Sequence, residues 1–317
     1  MKAIILNEFG GVDVLNIATV ADPVPGAGEV LIKIHAAGVN PVDAKIRKGL
    51  LLKRVPHAFP VIPGWDAAGV VERIGEGVSR FQPGDEVYAY CRKPIVQYGA
   101  YAEYIVLPES SVAMKPRSLL FPEAASIPLA GLTAWQSLMK VAQMKRGHHV
   151  LIHAGAGGVG GFAIQIAKDA GAYVIATASA KNHDYVGSLG ADEIIDYTTM
   201  DFVAAVRKTH PDGLDIAFDT VGGDVQSRSA LVLKKGGALM SILQYQDEES
   251  LKRLGVRTLY HFVEPSKEDL CVLARMVDDG KLKTHLSAVL PLEDAAEAHR
   301  RIETQRTVGK IVLKVEK

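Results

Sequence analysis

The chain has 317 residues, with 36 basic and 36 acidic side chains and a formal net charge of zero. That length gives room for a large core and more than one domain, and the charge balance gives no reason to expect a polyanionic partner such as nucleic acid. The two cysteines, Cys91 and Cys271, lie far apart with no C-x-x-C spacing, which excludes a disulfide framework and suits a reducing compartment.

At the N-terminus, Asn7 and Glu8 follow only four apolar residues, Ala3 to Leu6. That is too soon for the apolar region of a signal peptide, and no apolar run approaches the ~18 residues of a membrane span. The expectation is a cytoplasmic protein with no membrane partner. From Met1 to about Ala125, KAIILNEF, EVLIKIHAAGV, AAGVVERIG, DEVYAY and AYAEYIVLP read as strands. Turn dipeptides at Pro25-Gly26, Pro63-Gly64 and Pro83-Gly84 separate them, and no long helical periodicity intervenes. This half reads as a compact, barrel-like β unit.

The texture changes near Pro128. AGLTAWQSLMKVAQM reads as a helix, and strands then alternate with helices. HVLIHA, YVIATA, EIID, LDIAFDTV and GALMSIL are the strands; the helices follow the glycine turn after Ala154, span Tyr185 to Leu189, cover DFVAAVRKTH and lie near Gln226 to Leu233. Such alternation predicts an α/β fold with a doubly wound parallel sheet and its ligand at the carboxyl ends of the strands. Beyond Glu264, Lys267 to Gly280 and LEDAAEAHRRIE read as amphipathic helices, and GKIVLKV as a last strand. The β-rich half lacks an obvious closing strand, so this last one is expected to return to it. The predicted domains are therefore 1–125 with 264–317, discontinuous, and 126–263.

The most informative stretch is LIHAGAGGVGGFAIQIAKDAG, residues 151–171. Gly155, Gly157 and Gly160 form G-x-G-x-x-G directly after an apolar strand. Val159, Phe162, Ala163, Ile166, Ala167 and Ala170 then mark one face of a helix. This is the context a dinucleotide fingerprint requires, because backbone N–H groups at a helix start suit a diphosphate. NAD-specific sites of this kind place an acid about 20 residues on, at the end of the second strand. Residues 170–183 contain no Asp or Glu and offer Thr177, Ser179 and Lys181. A hydroxyl and an ammonium suit a 2′-phosphate, which a carboxylate would repel, so NADPH is the expected cofactor.

The motifs AAGVNPVDAKIRKG (36–49), PGWDAAGVVERIG (63–75), GAYAEY (99–104), GLTAW (131–135), HAGAGGVG (153–160), DTVGG (219–223) and VGKIVLKV (308–315) occur in order along the chain. On these the chain resembles the zinc-independent quinone oxidoreductase branch of the medium-chain dehydrogenase/reductase superfamily. The resemblance implies a GroES-like β-rich barrel domain, a Rossmann domain, a cofactor cleft between them, and a homodimer. It implies that Asn40 and Thr133 sit at the nicotinamide end, and that Gly157, Gly158 and Val159, within the turn from Gly155 to Gly160, present backbone to the diphosphate. It further implies that Ser179, Lys181 and Tyr197 face the 2′-phosphate, and that Leu243, Phe262 and Val263 border the carboxamide. Lys310 reads either as a further cofactor contact or as a surface lysine beside the last strand.

The resemblance also bears on metal. Zinc-dependent members of the superfamily carry Cys and His where this chain has Asn40 and Trp65, and the segment ASIPLAGLTAW supplies no third donor. Without a Lewis acid, a conjugated carbonyl is the easier acceptor, because hydride added at the β-carbon leaves a delocalised enolate or quinol. The expected activity is NADPH-dependent reduction of quinones or other α,β-unsaturated carbonyls. An enoyl-thioester reductase and a non-catalytic NADPH-binding redox sensor are the alternatives. Relatives often carry Tyr where this chain has Lys45, so Asn40, Lys45 and Trp65 are substrate-cleft candidates. No acid–base residue is named; Asp43 reads as the cap of the turn presenting Asn40, with a catalytic role as the alternative.

Overall fold

The computed structural model describes residues 1–315. The chain forms two compact units: Met1–Leu132 together with the segment from Glu264 onward, and Thr133–Val263. In the first unit the chain runs through β1 (Lys2–Ile5), β2 (Asn16–Thr19), β3 (Glu29–Val39), α1 (Pro41–Arg47), β4 (His57–Ile62) and β5 (Asp66–Ile74). It continues with β6 (Glu86–Tyr90), β7 (Val96–Tyr98), β8 (Tyr104–Pro108), β9 (Val112–Met114), α2 (Phe121–Ala125) and α3 (Pro128–Trp135), the last leading into the second unit.

The second unit contains β10 (His149–Ile152), α4 (Gly158–Asp169), β11 (Tyr173–Ala178), α5 (His183–Ser188), β12 (Glu193–Asp196) and α6 (Phe202–Thr209). Then come β13 (Leu214–Asp219), α7 (Asp224–Ala230), β14 (Leu233–Ser241), α8 (Glu248–Arg253) and β15 (Arg257–Tyr260). Back in the first unit follow α9 (Lys267–Asp278), β16 (Leu286–Pro291), α10 (Ala295–Glu303) and β17 (Lys310–Lys314).

The second unit is a six-stranded sheet in the order β12-β11-β10-β13-β14-β15, with every pairing parallel. This is the doubly wound order, and the strand order reverses between β10 and β13, where such folds bind ligands. Leu151, Ile175, Leu214 and Leu239 from the strands pack with Phe202 and Val206 of α6 on one face. Each such side chain contributes roughly 1.5–3 kcal/mol by leaving water. Local chemistry sets the helix ends. Asp201 caps α6 by accepting from Ala204 N–H at 2.9 Å. Gly171, at φ +79°, ends α4, and Ala172 N–H returns to Ala167 at 3.0 Å.

In the first unit the main sheet runs β16-β17-β3-β5-β6-β9, with β8 also paired to β3. The returning strand expected from GKIVLKV is β17, antiparallel to β3 with Ile311 opposite Val39. Ile32, Ile34, Val87, Ile105, Ile311 and Leu313 lie in its core. Smaller pairs, β1 with β2 and β4 with β7, complete the unit.

Several elements differ from expectation. The helix predicted over AGLTAWQSLMKVAQM divides at Trp135, where α3 gives way to a π-helical segment, Gln136–Val141. No Gly or Pro marks that change, so periodicity does not register it. The seven-residue α1 is too short to repeat its apolar face; Pro41 at its first turn and Asn40 before it start it. The strands β15 and β16 carry no clear sequence signal: β15 is only four residues long and β16 alternates partly buried with exposed positions.

Candidate active site

The glycine turn sits at the carboxyl end of β10. Ala154 adopts φ +51°, and Gly155 N–H donates to Thr177 C=O at 2.9 Å, tying the turn to β11. Each fingerprint glycine answers a different constraint. A Cβ on Gly155 would lie 3.1 Å from both Ala176 Cβ and Ile164 Cδ1, and one on Gly160 would lie 2.2 Å from Ala154 O. Gly155 thus lets the turn press onto β11, and Gly160 lets α4 press onto the turn. A Cβ on Gly157 would meet only Ala154 O, at 3.3 Å, so its open side is space that a ligand can use. Gly157 is the N-cap of α4, and Gly158, Val159 and Gly160 form the first turn, whose N–H groups an α-helix leaves without internal partners. The cradle fits a dinucleotide diphosphate.

Thr177 is not at the ligand face. Its buried Oγ1 accepts from Ala154 N–H and bonds His153 Nδ1, both at 3.2 Å. His153 Nε2 in turn lies 2.8 Å from Ser229 Oγ, whose hydroxyl donates to Val225 C=O at 2.6 Å. Since the Ser229 hydroxyl is donated to Val225, the imidazole carries a proton on Nε2, and burial keeps the ring neutral by pushing the His153 pKa down to about 4. A depressed pKa stabilises the fold above the unfolded value near 6.5, and that contribution is lost as pH falls toward 4. The shift corresponds to about 3 kcal/mol. Chemical denaturation should therefore find His153→Gln clearly less stable than the parent at pH 7.5, and the gap should shrink by most of that amount by pH 4.5. A gap independent of pH would mean His153 titrates normally.

Beyond β11, Ser179 is half-buried and accepts from Asn182 Nδ2 at 3.2 Å, while Lys181 and Tyr197 are exposed. The acid that β11 lacks stands one strand over. Asp196 ends β12 in register with Ala178, and its Oδ1 accepts from both the N–H (3.0 Å) and hydroxyl (2.6 Å) of Thr198. Those bonds hold its carboxyl below the usual carboxylate range.

On the other side of the switch point, a network that sequence reading missed shapes the ends of β13 and β14. Buried Asp219 accepts from Val221 and Gly222 N–H, both at 2.9 Å, and from Ser241 Oγ at 2.8 Å. Ser241 Oγ also accepts from Leu243 N–H at 3.0 Å, and Gln226 Nε2 donates to Leu243 C=O at 3.2 Å. The backbone of Leu243 is thus fixed by two buried polar side chains, Ser241 and Gln226, the first of them held by Asp219. The signal was D-T-V-G-G: an acid ending a strand before two glycines, here at φ +85° and +59°. Phe262 and Val263 follow β15, and Thr133 is buried on α3.

In the first unit, Asn40 precedes α1 and its amide is bonded at both ends. Its Nδ2 donates to Asp66 Oδ2 at 2.8 Å and its Oδ1 accepts from Lys310 Nζ. Lys310 is only 4 % exposed; its ammonium also donates to Val39 C=O at 3.2 Å and lies 3.6 Å from Asp66. This corrects the surface reading of Lys310. It is not a surface lysine, since its ammonium is buried against Asn40, Val39 and Asp66. Asp43 caps the turn as expected, accepting from Asn40 N–H at 2.8 Å and from Tyr101 OH at 3.2 Å. Burial raises the Asp43 carboxyl to about 7 and also raises that of Asp66, and it lowers Lys310. Arg47, at the end of α1, is buried and bonded to Gly10 C=O, His299 Nδ1 and Glu303.

Trp65 is buried edge-on against Tyr90, with ring centroids 5.9 Å apart. Lys45 keeps much of its surface open, yet partial burial holds its ammonium below the ordinary lysine range. Among the described residues, no group of three or more His, Cys, Asp and Glu side chains is placed to hold a metal ion.

A glycine turn that fits a diphosphate, on a doubly wound sheet in a chain with a second, β-rich unit, points to the class of dinucleotide-dependent oxidoreductases. Residues 26–117 match the alcohol dehydrogenase GroES-like domain and residues 189–313 the family described as zinc-binding dehydrogenase. The chain is 35 % identical to the NADPH-dependent alkenal/one oxidoreductase of Arabidopsis thaliana chloroplasts, covering 99 % of this chain and 79 % of that one. The quinone oxidoreductase of Coxiella burnetii superposes with a TM-score of 0.91 at 37 % identity, covering 100 % of this chain and 99 % of that one. A mycobacterial protein solved with NADPH superposes at 0.90 with 32 % identity, covering 99 % and 100 %. The chain belongs to the medium-chain dehydrogenase/reductase superfamily, in its quinone oxidoreductase branch.

Proposed function

We propose that this chain reduces quinones or α,β-unsaturated carbonyl compounds with NADPH, without a metal ion and as a homodimer. The observation that carries the reading is the glycine cradle joined to an acid-free β11 end, where Ser179 and Lys181 stand in place of a carboxylate. NADPH, when bound, supplies the hydride. The first-turn N–H groups from Gly158 to Gly160 would hold its diphosphate, and the Lys181 ammonium its 2′-phosphate. Ser241, held by Asp219, and Gln226 fix the Leu243 backbone in one position beside the switch point. The metal-free reading is supported by the donor set, because Asn40 and Trp65 replace two zinc ligands and the Asn40 amide is already bonded. Relatives named for NADPH and for alkenal, enone or quinone substrates support the same choice.

Purified protein should oxidise NADPH with at least one member of a panel of short quinones and enones; no oxidation with any of them would overturn the proposal. Lys181→Glu should raise the Kd for NADPH by about 10- to 100-fold, the equivalent of one charge-assisted hydrogen bond of roughly 1.5–3 kcal/mol, with little change for NADH. Equal weakening for both cofactors in a fluorescence titration would remove Lys181 from the 2′-phosphate site.

A further inference from the structure

One surface of the first unit combines exposed apolar side chains with an excess of basic ones. Residues 44–65 carry Lys45, Arg47, Lys48, Lys53 and Arg54, and residues 87–102 carry Arg92 and Lys93, with no Asp or Glu in either stretch. This is a local excess in a chain of zero net charge. Arg47 and Lys48 are spent on Glu303, and Arg92 on Glu264; Lys53 and Arg54 are exposed.

The two stretches meet in space. The ring of Phe9 lies over Gly49, where a Cβ would come within 3.0 Å of it, and packs 4.8 Å from Phe59 and 5.6 Å from His57. His57 pairs with Val96 in the β4–β7 ladder, and Val96 N–H donates to Pro56 C=O at 2.9 Å. Lys93 lies 5.9 Å from the centre of the Tyr98 ring. On this surface Leu50 is 67 % exposed, Tyr98 55 %, Leu52 51 % and Ile95 50 %.

We infer that this surface docks on an anionic lipid bilayer. The sequence Leu50-Leu51-Leu52-Lys53-Arg54 places apolar side chains beside long cationic ones. Such side chains insert at the headgroup boundary while their charges reach anionic lipids, and neither contribution alone suffices for stable binding. A protein partner is the poorer fit, because lysine is depleted from protein–protein interfaces. No helix among the described residues is long and apolar enough to cross a membrane, so the association is peripheral, and it departs from the sequence-based expectation of no membrane partner, which rested on spanning criteria alone. The inference stands independently of the proposed substrate class.

The test is sedimentation of the full chain with phosphatidylcholine vesicles, with and without about 30 % phosphatidylglycerol, at low and at roughly 0.5 M salt. Binding is expected to the anionic vesicles at low salt, with a loss of at least about fivefold at high salt or on neutral vesicles. Lys53→Glu with Arg54→Glu should weaken it about tenfold or more, since each basic side chain near such a surface is worth about fivefold. Leu50→Ser with Leu52→Ser should weaken it at low salt too, while NADPH oxidation with a soluble quinone stays unchanged in both variants. Failure to bind anionic vesicles, or binding indifferent to both double variants, would overturn the inference. A change of oligomeric mass in the Leu50→Ser, Leu52→Ser variant without vesicle binding by the parent would do so as well, assigning the patch to self-association.

Discussion

Gly160→Ala should abolish measurable NADPH binding, raising the Kd by at least about 100-fold, whereas Gly157→Ala should weaken binding without disturbing the unliganded protein. The contrast follows from where each new Cβ falls. At Gly160 it lies 2.2 Å from Ala154 O, 2.9 Å from Ala154 C and 3.0 Å from Gly155 Cα, all backbone atoms of the turn itself. No rotamer relieves such an overlap, so α4 must withdraw from β10 by roughly 1 Å or the turn must unwind. A displacement of that size in a positioning element costs on the order of 100-fold. Overpacking should also destabilise the second unit by about 1–3 kcal/mol. At Gly157 the backbone is already extended, at φ −77° and ψ 171°, and the Cβ meets only Ala154 O at 3.3 Å. Alanine fits there until a diphosphate approaches. Thermal shift without ligand and a fluorescence titration with NADPH separate the two cases. Full affinity in Gly157→Ala would show that the diphosphate does not use that side of the turn.

The glycine turn was legible in the sequence because every constraint on it is local. The strand before it, the three glycines and the apolar face after it lie within residues 151–171. The parallel sheet was legible for a related reason: short strands alternating with amphipathic helices leave few alternative ways to bury their apolar faces. Polar side chains whose partners lie far along the chain were harder to read. Thr177 looks like a phosphate ligand because it follows the fingerprint at a plausible distance, yet its hydroxyl faces inward between His153 and Ala154. Asp219, Gln226 and Ser241 lie within 22 positions of one another, but nothing in their spacing says that they share one hydrogen-bond network. Lys310 is the extreme case, with partners 270 residues earlier. A hint was present all the same, since a lysine that opens the continuously apolar run Ile311-Val312-Leu313 has little solvent to point into.

Lys310→Met should be the most destabilising single change at this cluster, by about 3–5 kcal/mol, because it removes one partner of a buried ion pair and leaves the other charge uncompensated. Two carboxyl groups, Asp43 and Asp66, share this fully buried region with one ammonium. Burial already raises both carboxyls, and the Lys310 charge is what offsets it. Without it both would hold protons to higher pH. A carboxyl raised in the fold binds a proton that the unfolded chain releases, so its effect on stability is unfavourable above the folded pKa and disappears on acidification toward 3.8. The gap between parent and variant should therefore narrow as pH falls from 8 toward 5. The His153 gap also narrows on acidification, but there the parent loses stability, whereas here the variant is relieved of a penalty. Urea denaturation of parent and variants at several pH values tells the two apart. The second substitution Asp66→Asn should recover at least half of the loss. The amide oxygen it introduces can still accept from Leu129 N–H, as Asp66 Oδ1 now does at 2.7 Å. The amide of Asn40, released from Lys310, can turn so that its oxygen meets the introduced NH2 group and its own NH2 meets Val39 C=O. Replacing both members of a buried pair in this way is commonly near neutral, whereas replacing one is not. A double variant no more stable than Lys310→Met would mean that the lysine is needed for its packing and its bond to Val39 rather than for its charge.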